Sequence, residues 1–170
     1  MTMSSSARDA LVQQIHLAFA GVTLGKGISL RQAEVIDSFS KGVTPAEFAR
    51  LPQSEETQYW DRISLAELER DNVAHLDPEG FRFYLPALMI SVMDHYDPTS
   101  MRVIGTLSAL YPKDNLEAYH LPRYDLLTLA QKQAVACFLR ALGELVVLDE
   151  EDATVVSRAL RYWGAFVHAT

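Results

Sequence analysis

Four Ser/Thr-x-x-Glu/Gln steps, each followed by apolar residues at helical spacing, constrain this chain more than any other feature. They are Ser29 with Gln32, Thr44 with Glu47, Ser64 with Glu67, and Thr128 with Gln131. In such a pair the hydroxyl accepts from the backbone N–H three residues on, and the longer side chain reaches back to the first N–H. Both donors would otherwise lie open at a helix start. A chain that repeats this signal folds mainly into short helices.

The apolar spacing fills in the helices between these starts. Over residues 7–20, Leu11, Ile15, Ala18 and Phe19 share a face, and Gly21 stops the run. Leu30, Ala33, Ile36 and Phe39 line a second helix that ends at Gly42. Thr44 and Pro45 start a short third one, which Pro52 stops, and residues 54–60 and 65–71 add further turns. Asp77-Pro78-Glu79-Gly80 predicts a type I turn. Pro86 pushes Leu85 out of helical geometry, so residues 81–85 are expected to be extended, as a short strand. A helix then runs from Pro86 to about Tyr96, with Leu88, Met89, Val92, Met93 and Tyr96 as its stripe.

Asp97-Pro98 breaks that helix, and the next run carries Met101, Ile104, Leu107 and Leu110. Gly105 inside it costs about 1 kcal/mol relative to alanine. Residues 113–124 read as polar and irregular. Two long helices close the chain, over about 130–147 and from Asp149 to about Val167, with Phe138, Leu142, Val156 and Trp163 among their inward residues. The expectation is all-α: a compact multi-helix bundle of about eight helices, one helical domain over 1–170, with one short extended segment near 81–85.

Composition narrows the function classes. The chain has 22 acidic and 15 basic residues, net −7, and the acidic excess sits between Asp61 and Asp125. An acidic surface repels phosphates, which disfavours nucleic acid, and suits a basic protein partner; it also serves solubility alone. The single thiol, Cys137, falls in an apolar helical run and cannot form an internal disulfide. No stretch approaches the roughly 18 apolar residues of a membrane span, and the polar N-terminus does not resemble a secretory signal. A cytoplasmic location without membrane contact is expected. Gly21, Gly25 and Gly27 follow no strand and precede no phosphate-loop lysine, so they read as a loop rather than a nucleotide site.

Residues 76–89, Leu76-Asp-Pro-Glu-Gly-Phe-Arg-Phe-Tyr-Leu-Pro-Ala-Leu-Met89, resemble the central signature of a family of small uncharacterised bacterial proteins. Residues 18–25 followed by 33–37 are similar to it as well, as is a capped Thr128 helix followed by one carrying Tyr162-Trp163. The likeness spans most of the chain. Leu88 stands where that pattern often has an aromatic. The resemblance implies a bacterial, stand-alone cytosolic domain, and by analogy with other small orphan domains, a toxin-immunity protein.

Several groups are candidates for chemistry. Asp94-His95-Tyr96-Asp97 offers possible metal ligands, although no convergent third or fourth ligand follows, and no metal or cofactor is expected. His75 beside Asp77 offers a His–carboxylate pair, or simply a turn aspartate next to a histidine. Arg82 can anchor an anionic ligand or pair with Glu79 or Asp77; Tyr84, with Phe81 and Phe83, can line a pocket or fill the core. Trp60 and Asp61 with Glu67, Glu69 and Asp71 would form a hot spot for a basic partner if the tryptophan is exposed. No nucleophile–base set appears. The leading expectation is a non-enzymatic protein-binding domain, an immunity protein that neutralises a cognate basic toxin. Lysine at positions 67, 69 and 71 should then weaken binding without unfolding the chain. The alternative is a small hydrolase or a metal- or ligand-binding enzyme using His75, Asp77, Arg82 or the 94–97 cluster, and a homodimer is a third possibility.

Overall fold

A computed structural model describes residues 2–38, 42–51, 58–70 and 72–168. Phe39, Pro52 and Asp71, named above, lie outside those residues, as do residues 54–57 of the expected 54–60 turns. Among the described residues there are nine α-helices and no strand. They are α1 (Thr2–Ala18), α2 (Leu30–Asp37), α3 (Pro45–Arg50), α4 (Leu65–Leu68), α5 (Pro78–Asp94), α6 (Met101–Ala109), α7 (Glu117–Asp125), α8 (Leu129–Leu145) and α9 (Glu150–Trp163). Among the described residues, short 3₁₀ turns lie between helices at Trp60–Arg62 and Val73–His75, and a third, Gly164–Phe166, follows α9.

Three of the four pairs close reciprocally, at the starts of α2, α3 and α8. At α4, Ser64 accepts from the Glu67 N–H, but the Glu67 carboxylate goes elsewhere. Asp77 caps α5 and Asp149 caps α9 through the same side-chain acceptance.

The expected strand at 81–85 is the first turns of α5, which starts at Pro78 rather than Pro86. Twelve of the seventeen residues of α5 are buried, because α1, α6, α7 and α8 all pack around it. A helix that is apolar all round has no polar face to show its period, so its sequence reads like a buried strand. Pro86 only removes the N–H that would bond the Arg82 carbonyl, and burial on every side outweighs that loss.

Gly80 fixes how the 21–29 loop meets α5. A Cβ at Gly80 would stand 2.3 Å from the Ile28 carbonyl oxygen, and one at Gly27 would stand 2.8 Å from the Gly80 nitrogen. Two backbones approach here at a distance only glycines permit. Asp77 closes the junction, its Oδ1 accepting from the Gly80 and Ile28 N–H groups. The Asp77-Pro-Glu-Gly80 segment is therefore a helix cap and clamp, not a free turn.

The second correction concerns residues 113–124. Most of them form α7, whose inner face is His120, Arg123 and Tyr124. Tyr124 and Trp163 are fully buried, 4.6 Å apart edge to face, and donate to the Ala109 and Leu110 carbonyls. These bonds fasten α7 and α9 to the end of α6.

Candidate functional site

Two carboxylates of the expected cluster, Glu67 and Glu69, face arginines of the same chain. Glu67 is buried and holds Arg31 at 2.8 Å and Arg70 at 2.9 Å. Burial pushes its carboxyl up, but the hydrogen bonds from Arg31 and Arg70 outweigh this and hold it below the usual carboxylate range. Arg70 also reaches Glu34 at 2.7 Å. Glu69 accepts from Arg102, which is only 1% exposed and donates further to Ser91 Oγ and the His95 carbonyl. Trp60 is 5% exposed, with its indole N–H on the Phe19 carbonyl and its ring 4.8 Å from His16. So the expected ring of free carboxylates around an exposed tryptophan is not what forms. Glu67 and Glu69 tie α2, α4 and α6 together and Trp60 is core; Asp61 and Glu69 stay exposed, Glu69 while paired with Arg102, and Asp71 is outside the described residues. Lysine at 67 would set like charge against Arg31 and Arg70, so its expected effect is on stability as well as on binding.

The 94–97 cluster does not converge. Asp94 takes a two-pronged bond from Arg8, both contacts at 2.7 Å. The Tyr96 hydroxyl donates to Asp152 and accepts from the Asp149 N–H, and burial with that carboxylate pushes it up to about 12. Asp97 caps Thr99. Asp94 and His95 do share the wall of a 240 Å³ cavity with Trp60 and Asp61. Among the described residues no three His, Cys, Asp or Glu side chains group to hold a metal. Tyr84 is core, its hydroxyl accepting from the Leu30 N–H. Arg82 is half-buried and its Nε has no partner. Asp77 serves the clamp, and His75 pairs instead with Asp37 at 3.0 Å.

His75 leads to a site that sequence reasoning missed. Between α6, the Val73–His75 turn and α7 lies an open groove of about 730 Å³. Helix α6 supplies one wall from Met101, Ile104, Gly105 and Ser108, spaced to share a face. Its opposite face, Val103 and Leu107, enters the core. The stripe expected from 101, 104, 107 and 110 is thus split between two surfaces. The other wall is the segment Tyr111 to Leu116 and the α7 residues Tyr119, His120 and Arg123. Met101, Ile104, Leu116 and Tyr119 are 57%, 37%, 43% and 40% exposed, which concentrates four of the chain's exposed large apolar residues on one groove.

Arg123 builds that wall without a carboxylate among the described residues. It donates to the Tyr119, Ala74 and Leu76 carbonyls and lies 3.9 Å from the Tyr119 ring centroid. Tyr119 also donates to the Ala74 carbonyl. Together they lock α7 to the Val73–His75 turn. His120 is 5% exposed, stacked on Tyr124, with Nδ1 buried and unpartnered. Burial, then the nearby Arg123 charge, lowers its pKa, so the ring is neutral near pH 7. The signal for α7 is present in the sequence: positions 116, 119, 120, 123 and 124 follow helical spacing. Their polar identities and Pro122 hide it.

A model of a family of unknown function, DUF6714, matches residues 7–167. No curated protein and no solved structure matches the chain.

Proposed function

Since the chain belongs to DUF6714, a family without an assigned activity, we propose from its own geometry that it is a non-enzymatic protein-binding domain that docks a basic partner in the α6–α7 groove. The observation that carries this reading is the groove itself, a concave surface on which Met101, Ile104, Leu116 and Tyr119 stand exposed. A continuous apolar patch of this kind marks an interaction surface more often than a bare exterior. Charge at the rim supports the sign of the partner. Asp37 lines the groove, and Asp114 and Glu117 are exposed beside Leu116, while the cations within are engaged, Arg123 by carbonyls and Lys113 against the Tyr111 ring. The more specific reading is a cytoplasmic bacterial immunity protein that covers the active surface of a cognate toxin. No helix of the described residues is long and apolar enough to cross a membrane, and the net charge of −7 disfavours nucleic acid as the partner.

Co-expression with the product of the adjacent gene tests this. The expected result is that the neighbour arrests growth, the wild type restores it, and Ile104→Glu fails to. Rescue by Ile104→Glu at wild-type level, or a neighbour that is harmless or kills regardless, removes the immunity reading.

A second reading rests on His75 and Asp37. Their 3.0 Å contact at the groove edge would fix the His75 tautomer, as a base requires, with Ser108 in the same lining. A hydrolytic activity on small esters that His75→Ala abolishes would support it, and an inert wild type would end it.

A further inference from the structure

We infer that a second copy of this chain packs on the outer face of α1, as a two-fold symmetric pair anchored by Leu17. The inference is independent of the α6–α7 docking surface and uses other residues. Helix α1 buries Leu11, Ile15 and Phe19 and leaves Ala10, Gln13 and Leu17 exposed. Leu17 is 73% exposed, more than any large apolar side chain of the α6–α7 groove. Beside it, α1 and α8 border an open cavity of about 500 Å³, whose lining includes Ala10, Gln13, Gln14 and Leu17 of α1 and Ala130 and Gln133 of α8.

Charge selects the occupant. None of the residues that line this cavity is charged, whereas the cavity at Trp60 carries Asp61 and Asp94 and the α6–α7 groove carries Asp37. A chain of net −7 repels its own copy, so a pair forms where no carboxylate is set against another. Asp9, close by in sequence, is already paired with Arg8 at 2.9 Å. A basic partner has nothing to meet on this face. Shape points the same way. Ala10, Gln13, Gln14 and Leu17 step by i, i+3, i+4 and i+7 along one side of the helix. A two-fold axis between Gln13 and Gln14 runs the two α1 helices antiparallel and sets each Leu17 over the Ala10 of the other copy. The face therefore carries both the projecting side chain and the hollow that receives it, as a self-complementary contact requires. The glutamines fit the same axis. Gln14 gives an amide N–H to Cys137 Sγ at 3.6 Å and keeps its oxygen as an acceptor for Gln13 of the other copy. One helix a side is small against the roughly 1,200–2,000 Å² of a stable interface, so the pair is weak and reversible.

Sedimentation equilibrium of the full chain, from about 1 µM to about 1 mM, tests this. The expected result is a reversible monomer–dimer equilibrium that tightens as salt rises, because screening removes the repulsion between two acidic copies. Docking of a basic partner has the opposite salt dependence. Leu17→Glu should weaken the pair by at least about tenfold while unfolding thermally like the wild type, since the side chain already faces solvent. Adding Ala10→Lys to Leu17→Glu sets opposite charges across the axis and should restore pairing, and Ile104→Glu should leave it unchanged. A wild type that stays monomeric throughout overturns the proposal. So does a Leu17→Glu variant that pairs normally, a double variant no better than Leu17→Glu alone, or a pair lost in Ile104→Glu instead. The docking reading is judged separately, by the growth rescue and its loss in Ile104→Glu.

Discussion

The acidic cluster and the α6–α7 groove lie on either side of the first half of α6, and they are built on opposite terms. In the cluster each described carboxylate that faces inward meets an arginine, Glu67 two of them and Glu69 the nearly inaccessible Arg102. In the groove, apolar side chains stay exposed and a buried acceptor stays unpartnered. A protein retains such features where something else completes them. Charge that is conspicuous in a sequence can be internal glue, while the surface left for a partner is marked by what the fold fails to satisfy.

The largest expected effect lies outside both regions, at the clamp between the 21–29 loop and α5, and sets the scale for them. Gly80→Ala should destabilise the fold by about 3 kcal/mol or more, because its Cβ would press on the Ile28 carbonyl and backbone cannot yield as a side chain can. Thermal unfolding would show it. Arg102→Ala comes next. It leaves the buried Ser91 hydroxyl and the part-buried His95 carbonyl without their donor, at about 1–3 kcal/mol, and wild-type stability in this variant would break the contrast.

Glu67→Gln should cost about 1–3 kcal/mol by weakening both arginine contacts. Its pH dependence has a definite sign. The folded pKa lies below the unfolded value near 4.5, so the contribution is full above 4.5 and is lost as pH falls through the folded value. The Glu67→Gln variant should lack that acid limb.

His120→Phe should change stability little, or raise it by up to about 1 kcal/mol, since it removes an unpartnered acceptor. The sign here is the reverse kind. His120 has a folded pKa below 6.5, so the unfolded chain binds the extra proton first, and stability falls as pH drops below 6.5 toward the folded value. The phenylalanine variant should be flatter over that window. Smallest of all, Ile104→Glu and Leu116→Glu should stay within about 0.5 kcal/mol of wild type while abolishing docking, because both side chains already face solvent.

Helix starts were legible because capping chemistry is local: Ser29, Thr44 and Thr128 act as their spacing implies. The all-α class follows from them. The 81–85 segment was misread because a helix buried on every side has no amphipathic period, and because Pro86 forbids a helix only where tertiary burial does not outweigh it. Helix α7 was missed because its inward residues are His120, Arg123 and Tyr124, polar side chains whose partners are carbonyls of the distant turn at Val73–His75. For the same reason the groove was invisible: it is defined by contacts between residues about 45 positions apart, such as Tyr119 with Ala74. His75 was named from the sequence, but with Asp77 as its partner; Asp37 is set beside it only by the packing of α2 on the turn.

Urea unfolding of Glu67→Gln beside Ile104→Glu tests the central claim most directly. The account predicts a loss of about 1–3 kcal/mol for the first and no more than about 0.5 kcal/mol for the second. A stable Glu67→Gln with a strongly destabilised Ile104→Glu would contradict it, placing the groove among the structural contacts and returning the acidic residues to the surface available for a partner.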